Sequence, residues 1–486
     1  MIKNDRQYRI TKAQADKFAL ALTEFAERSS KDKHMHPLQR QAQIASLQSQ
    51  LDDLRTQLEE YDALRSGRYR VFELESFEEL PRVLIQARIA SGLSQKELAE
   101  RLGLKEQQIQ RYEATEYASA SFERLKEIIA ALGIKVQEHV LLPRTHLSFT
   151  TLLKRLREVG LDRDFVTKRL IPPALLAHLQ GDIKEEELDK LVLRAASIIG
   201  RVFDWKPASL FEAVPLQLDT TMVGATRYKK AARTDERRAS AYTVYAHFLA
   251  LLVLEATSEL PKQPIPTEAS EVRKAVLSAY GSLTFKHVLD YVWSLGIPVL
   301  PLNDPGAFHG ACWRVDGRNI IVLKQQTMSE AHWLFDLLHE LRHVGEAPEH
   351  NEFEVIESSE IAQKQRQSRE EQVASRFAGG VLLDGRSEEL VEKCVQAAQG
   401  SVERLKTVVP KIAEQENVPV DSLANYMAFR LSLQGLNWWG TANNLQLPNT
   451  ALWQTARDFL LERTNFESLN EVDRHLLLQA LSNTED

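Results

Sequence analysis

Length and composition describe a folded protein of several domains. The chain has 486 residues, and at roughly 150 residues per domain about three domains are expected. Hydrophobic residues make up 43% of the chain and charged residues 27%, which excludes a wholly disordered or fibrous protein. The formal net charge of −7 argues against uniform coating of nucleic acid or of an anionic membrane, but it permits a local basic surface.

The cysteine content and the apolar stretches predict a cytoplasmic location. Cys312 and Cys394 are the only cysteines, too few for a disulfide framework, and such scarcity suits a reducing compartment. The opening sequence MIKNDRQYRITKAQ has no apolar signal core. The most apolar stretch, Phe248–Leu254, is too short to span a membrane. We therefore expect no membrane partner.

Two helices are predicted at the N-terminus. Apolar residues from Ala15 to Phe25 recur at steps of three and four, which is the spacing of one helix face. After a predicted break at His36-Pro37, a second series of apolar residues from Ile44 to Tyr61 continues the alternation, with charged residues between them. This seam fits two arrangements equally well, a helical hairpin within one chain or a zipper between two chains.

The predicted fold class is mainly α with a small β-sheet. Residues 296–300 read as a short strand, and Cys312–Val315 and Asn319–Leu323 flank the hairpin turn signal Asp316-Gly317. Helical patterns occupy most of the remaining chain. The predicted segments are an N-terminal helical or coiled-coil segment (1–78), a compact helical block (79–140), a helical middle region (141–288), a segment with the small sheet (289–440) and a C-terminal helical extension (441–486).

Two short helices separated by a turn are predicted inside the block 79–140. Ser94 stands at an N-cap position, and Glu97 follows three residues later, as in a capping box. This helix should end near Leu102, and Gly103 is a turn residue. The next helix would turn Ile109 toward the core.

The stretch SGLSQKELAERLGLKEQQIQRYE resembles the XRE, or lambda-repressor-like, helix-turn-helix family. The resemblance covers about 55 residues and implies an all-α domain that binds double-stranded DNA through a recognition helix starting at Glu106. Lys105 stands where the family usually has a Ser or Thr cap. The block holds nine basic and seven acidic residues over 82–136, so we expect a homodimer or a partner to assist binding. The alternative is a helix-turn-helix used only for protein contact. The residues predicted to contact DNA are Gln95, Lys105, Gln107, Gln108 and Arg111.

The sequence His339-Glu340-Leu341-Arg342-His343 is a candidate metal-binding motif. Two histidines at i and i+4 lie one helical turn apart on the same face, where both rings can reach one ion. Glu340 would accept a proton from the attacking water. A catalytic zinc needs a third protein ligand, and Glu371 on a downstream helix is the candidate. Glu370 is its neighbour and rival.

HELRH, Glu371 and the sequence ASRFA together resemble the ImmA/IrrE metallopeptidase family over roughly residues 290–435. The resemblance implies a gluzincin-like α+β domain in which His339, His343 and Glu371 hold Zn²⁺ and Glu340 activates water. It also implies that the strand 319–323 lends its edge to an extended peptide. Arg342 replaces a common Gly, and Ser375 replaces an Asn that can orient a His ligand. Candidates for stabilising an oxyanion are Arg342, His350 and Tyr426.

Both resemblances on one chain suggest a transcriptional regulator fused to a zinc-dependent metalloendopeptidase. Such a protein would bind an operator in its own promoter and act on a protein substrate or cognate toxin, in a stress, mobile-element or antiphage toxin–antitoxin locus. The rival hypothesis is a non-enzymatic antitoxin or sensor whose peptidase fold only binds a partner. Retention of Glu340 favours the enzyme, because a purely structural role does not require that carboxylate.

Overall fold

The chain folds into two compact units, Met1–Thr145 and His146–Asp486, which we describe separately. The structure is a computed structural model. The predicted break at His36 and the predicted boundary between residues 140 and 141 lie outside the residues that it describes. Those residues are 1–31, 37–66, 77–134, 136, 147–181, 184–212, 214–219, 234–304, 308–346, 348, 350–351, 353–358 and 369–482.

The first unit is all-helical in its described part. Its helices are α1 (Asp5–Lys31), α2 (Pro37–Arg65), a 3₁₀ turn (Phe77–Glu79), α3 (Leu80–Ala90), α4 (Gln95–Arg101), α5 (Glu106–Ala114) and α6 (Phe122–Leu132). α1 packs along α2 within the same chain. Tyr8 of α1 lies against Tyr61 of α2, with ring centroids 5.3 Å apart. Of the two arrangements predicted for the seam, the structure contains the intramolecular hairpin.

The second unit has a large helical part built on one core. Its helices are α7 (Phe149–Glu158), α8 (Arg163–Phe165) with a π-helical turn (Val166–Leu170), α9 (Pro173–Leu179), α10 (Glu185–Phe203), a 3₁₀ turn (Pro207–Leu210), α11 (Thr234–Ala256), α12 (Ala269–Tyr280), α13 (Phe285–Ser294), α14 (Glu330–Val344), α15 (Arg369–Leu382), α16 (Ser387–Ala397), α17 (Val402–Glu416), α18 (Val420–Ser432), α19 (Trp439–Asn443), α20 (Leu452–Arg463), a 3₁₀ turn (Phe466–Ser468) and α21 (Glu471–Ala480).

The predicted segments 141–288, 289–440 and 441–486 share this core. A single cluster of buried apolar residues extends from Leu147 to Leu481. The predicted boundary at 288/289 falls inside α13, and the one at 440/441 falls inside α19. Helices on both sides of each boundary bury their apolar faces against one another, and residues 146–486 form one compact unit.

One helical stretch, Arg237–Ala256 in α11, is long and apolar enough to cross a membrane by length and composition alone. Of its most apolar window, 72% is buried inside the protein. Tyr245, Leu249 and Val253, spaced four residues apart, are fully buried in the core. Packing in the second unit thus accounts for the apolar sequence of this helix.

A four-stranded sheet lies in the second unit, in the order β1-β3-β2-β4. Its strands are β1 (Val299–Pro301), β2 (Phe308–Val315), β3 (Arg318–Leu323) and β4 (Phe353–Ser358). The predicted β2–β3 hairpin is present, and Asp316 and Gly317 in its turn both have positive φ, 49° and 67°. The prediction of a mainly α fold with a small sheet is confirmed.

The position of β3 corrects one expectation. Residues 319–323 were expected to form an edge strand that pairs with a peptide. Instead β1 pairs with β3 in parallel on one side, and β2 pairs with it in antiparallel on the other. Because β1 pairs with Ile321–Leu323 and β2 pairs along the whole of β3, β3 is a central strand at Ile321–Leu323 and cannot add a peptide strand there.

Candidate functional site

The helix-turn-helix is formed by α4 and α5. The Ser94 hydroxyl accepts a hydrogen bond from the Glu97 N–H at 3.1 Å, and the Glu97 carboxylate accepts one from the Ser94 N–H at 2.8 Å. This capping box begins α4 as predicted, and the bonds from Ser94 hold the pKa of Glu97 below its usual value. Leu98 of α4 and Ile109 of α5 are both fully buried in the core of the first unit.

Three of the five residues predicted to contact DNA are exposed. Gln107 and Arg111 are exposed on α5, and Lys105 is exposed just before it. Gln108 is half-buried, and its side-chain oxygen accepts a hydrogen bond from the Lys105 N–H at 3.2 Å. Gln108 therefore caps α5 in place of residue 105, because a lysine side chain has no acceptor.

The fifth residue, Gln95, points into the first unit. Its side-chain amide donates a hydrogen bond to Glu113 at 2.7 Å and accepts one from Asn4 at 3.2 Å, and it is 7% exposed. Glu113 also forms a buried ion pair with Arg88, with 2.6 Å between Nε and Oε1. This network fixes α5 to α3, and Gln95 would have to exchange these bonds to contact a phosphate.

The HELRH sequence lies in α14, which packs against α15. Ser329 caps α14 by accepting a hydrogen bond from the His332 N–H at 3.1 Å. Leu337, Leu338 and Leu341 are fully buried and anchor the helix in the core. Small buried residues on α15, including Ala374 and Ala378, face a tightly packed interior. Rigid, closely packed helices of this kind suit a preorganised site.

His339, His343 and Glu371 converge between α14 and α15. One potential ligand atom from each lies within 4.8 Å of the others. The two histidine Nε2 atoms are 3.1 Å apart, and Glu371 Oε2 is 3.2 Å from the His339 Nε2. Glu370 is exposed, and it is Glu371 that the structure places with the two histidines. Two imidazoles and one carboxylate are a donor set that Zn²⁺ accepts, so these residues could hold a metal ion.

The charges around the cluster favour a bound cation. Burial acts to lower the pKa of His343, but the carboxylates of Glu346 and Glu371 outweigh it and raise the pKa to about 10. Burial acts to raise the pKa of Glu371, but hydrogen bonds with His339 and His343 outweigh it and hold the pKa far below its usual range. Buried, strongly shifted groups of this kind are typical of functional sites.

Glu340 is fully buried beside the cluster and is closely approached by the sheet. A Cβ atom added to Gly310 in β2 would lie 2.3 Å from Glu340 Oε1 and 2.9 Å from its carboxyl carbon. A side chain at position 310 would therefore displace the Glu340 carboxylate or the strand. The strand backbone therefore passes close to the predicted proton acceptor.

Partners around the cluster orient its histidines. The Ser375 hydroxyl lies 3.3 Å from His339 Nδ1, so this serine can position the ring. Glu346 Oε2 lies 3.7 Å from His343 Nδ1. Arg342 donates a hydrogen bond to Glu346 at 3.3 Å. Both histidines thus direct Nε2 toward Glu371 and Nδ1 toward a polar partner.

Sequence reasoning missed Gly310 and Glu346. A glycine inside a strand is a known sign of close approach by another group, and Gly310 carries that signal. Glu346 carried no signal, because its role follows from how the chain turns after α14. Tyr426, a predicted oxyanion candidate, donates its hydroxyl to Glu388 at 2.6 Å and is fully buried. Its hydroxyl is therefore already engaged within the protein.

Comparison with known proteins identifies the first of these two sites. A family model described as helix-turn-helix matches residues 84–139. No curated protein and no solved structure matches the chain. The matched segment contains α4, α5 and the buried network around Glu113. Residues 84–139 are an XRE-type helix-turn-helix domain, and the domain indicates a DNA-binding transcriptional regulator that works on double-stranded DNA.

Proposed function

We propose that this regulator also has a zinc-dependent endopeptidase site, formed by His339, His343 and Glu371 as metal ligands and Glu340 as general base. One observation carries the proposal. The three ligand atoms lie within 4.8 Å of one another, directly beside a fully buried carboxylate. A structural zinc site is normally closed by four protein ligands, whereas three leave a position for chemistry.

The proposed roles follow from the geometry of each side chain. Zinc, when bound, supplies a Lewis acid and lowers the pKa of water. His339 and His343 bind through Nε2, and Ser375 fixes the ring of His339. Glu340 takes a proton from the attacking water and delivers it to the leaving amine of the peptide bond. Its close packing against Gly310 would limit the movement of the carboxylate, and proton transfer requires a positioned group.

Metal analysis tests the ligand assignment. Full-length protein purified without added metal should contain about one zinc per chain, and His343→Ala should lose most of it because two ligands hold zinc poorly. His475→Ala is the matched control, since His475 is exposed on α21 and lies outside the cluster. Equal zinc in wild type and His343→Ala would contradict the proposal.

The two sites would form one switch. We propose that the helix-turn-helix binds an operator as a homodimer and that cleavage of a protein substrate or cognate toxin changes operator occupancy. The biological setting would be a stress, mobile-element or antiphage locus. A promoter reporter, followed under DNA damage or phage challenge, should respond with wild type and fail to respond with Glu340→Gln. Equal responses without protein fragments would favour a binding scaffold that does not cut.

A further inference from the structure

The second unit also contains a cavity that lies outside the proposed peptidase site. It is a cavity of about 490 Å³ beside the turn between α7 and α8, the π-helical turn and α11. Its lining contains none of His339, Glu340, His343 and Glu371. The volume lies within the range of about 300–1,000 Å³ typical of small-molecule sites.

Cations line one part of the wall. Arg169 is 2% exposed, and its Nε donates to Asp304 at 2.7 Å while Nη1 donates to the Gln479 carbonyl at 2.6 Å. Its third nitrogen, Nη2, is buried and has no hydrogen-bond partner among the described residues. A buried donor left without an acceptor destabilises the protein, and an acceptor on a ligand would remove that cost. Lys168, exposed at the same cavity, adds a second positive charge.

Carboxylates in the cavity wall further restrict the chemistry of the ligand that can bind. Asp304 also accepts a hydrogen bond from Tyr242 at 2.9 Å, and Asp162 pairs with Arg238 at 3.5 Å. Asp164 is exposed on the same wall. Three carboxylates repel a ligand with many acidic groups, but they accept hydrogen bonds from hydroxyl and amino groups. The ligand therefore needs one acidic group together with hydrogen-bond donors.

An aromatic pair supplies an apolar surface. Phe165 is half-buried, and its ring centroid lies 5.7 Å from that of Tyr242. A flat ring could pack against Phe165 while its acidic group meets the cations. An acidic group, hydroxyl or amino donors and a flat ring together describe a nucleotide. We propose that this cavity is a binding site for a nucleoside monophosphate.

The wall of the cavity is tightly packed at Gly160. Gly160 has φ +95°, and a Cβ atom there would lie 2.5 Å from the Arg238 backbone nitrogen. The chain before α8 therefore passes directly against α11. Arg169 in addition ties the cavity to the residues at the end of α21 through Gln479. A ligand that engages Arg169 should accordingly stabilise the whole second unit.

Calorimetry and thermal melting of the full-length protein test the proposal, with adenosine 5′-monophosphate and guanosine 5′-monophosphate as probes. At least one should bind and raise the melting temperature of the second unit. Adenosine, guanosine and inorganic phosphate alone should each bind about tenfold more weakly or worse, because each supplies only part of the recognition. No binding of either nucleotide at millimolar concentration would overturn the proposal, as would phosphate binding equal to the nucleotide.

Two variants locate the site. Lys168→Gln should weaken nucleotide binding about tenfold, which corresponds to about 1.4 kcal/mol, while Lys190→Gln, an exposed lysine outside the cavity, should leave it unchanged. Asp304→Asn should strengthen binding, because Arg169 then loses a competing carboxylate. If Asp304→Asn does not fold, Lys168→Gln alone decides. Equal affinity of Lys168→Gln and wild type would overturn the assignment.

Discussion

The helix-turn-helix and the His-His-Glu cluster are assembled in opposite ways. The helix-turn-helix takes its capping box and its exposed side chains from one continuous stretch, residues 94–113. The cluster combines side chains of α14 and α15, and Glu371 is 32 residues from His339 along the chain. Gln107 and Arg111 are exposed, whereas His339, His343 and Glu340 are buried.

This difference predicts which amino-acid substitutions each site should tolerate. An exposed side chain on α5 can be replaced without disturbing the fold, so only affinity for a partner should change. A buried ionisable group is costly without its neighbours, so the cluster depends on the packing of several elements. Substitutions near the cluster should therefore have larger effects than substitutions on the exposed face of α5.

Glu340→Gln should have the largest effect. If Glu340 is the general base, replacing its carboxylate with the amide of glutamine should reduce the rate of peptide hydrolysis by about 10²–10⁴-fold, because an amide does not accept the proton. Zinc content should stay at the wild-type level, since Glu340 is not among the three proposed ligands. Mass spectrometry of a peptide library, with metal analysis alongside, measures both. Glu403→Gln, outside the cluster, is the control, and unchanged hydrolysis in Glu340→Gln would refute the assignment.

Arg88→Met should unfold or strongly destabilise the first unit. The substitution leaves Glu113 as a buried carboxylate without its ion-pair partner, and breaking such a pair costs about 3–5 kcal/mol. Arg82→Met, on the same helix but exposed, should cost much less. Denaturant melts followed by circular dichroism give both values. If Arg88→Met lowers the free energy of unfolding only as much as Arg82→Met does, the Arg88–Glu113 ion pair does not hold α5 in place.

Gly310→Ala should lower peptidase activity by displacing Glu340 while leaving zinc binding unchanged. The added Cβ would lie 2.3 Å from Glu340 Oε1, so the carboxylate or the strand must move. A displacement of about 1 Å at a catalytic group can reduce the rate about 10²-fold. Zinc content should be retained. Gly440→Ala is the matched control, because no atom lies within 4 Å of its added Cβ. Full activity of Gly310→Ala would mean that this contact does not position Glu340.

The double substitution Gln107→Ala/Arg111→Ala should have the smallest effect and leave the fold intact. Loss of a good base contact costs about 1–3 kcal/mol of binding free energy. Gln110→Ala, exposed on the same helix but not predicted to reach DNA, serves as the control. Gel shifts with the upstream region at fixed salt measure the change. If the double variant and Gln110→Ala bind equally well, α5 does not read the operator as predicted.

The sequence by itself determined the features that depend on near neighbours along the chain. The capping box at Ser94 and Glu97, the β2–β3 turn at Asp316-Gly317 and the histidines one helical turn apart are all set by spacings of a few residues. Local hydrogen bonding and helical periodicity are enough to predict such features. The small sheet was predicted for the same reason, although its fourth strand was not.

Tertiary structure alone decided everything that depends on contacts between distant residues. It placed β1 beside β3 and so removed the expected peptide-binding edge. It turned Gln95 inward onto Glu113, joined three predicted segments in one core and brought Gly310 against Glu340. These outcomes follow from the burial of apolar faces and the pairing of buried polar groups, which involve residues far apart in sequence. No local pattern records which distant partner will satisfy a given group.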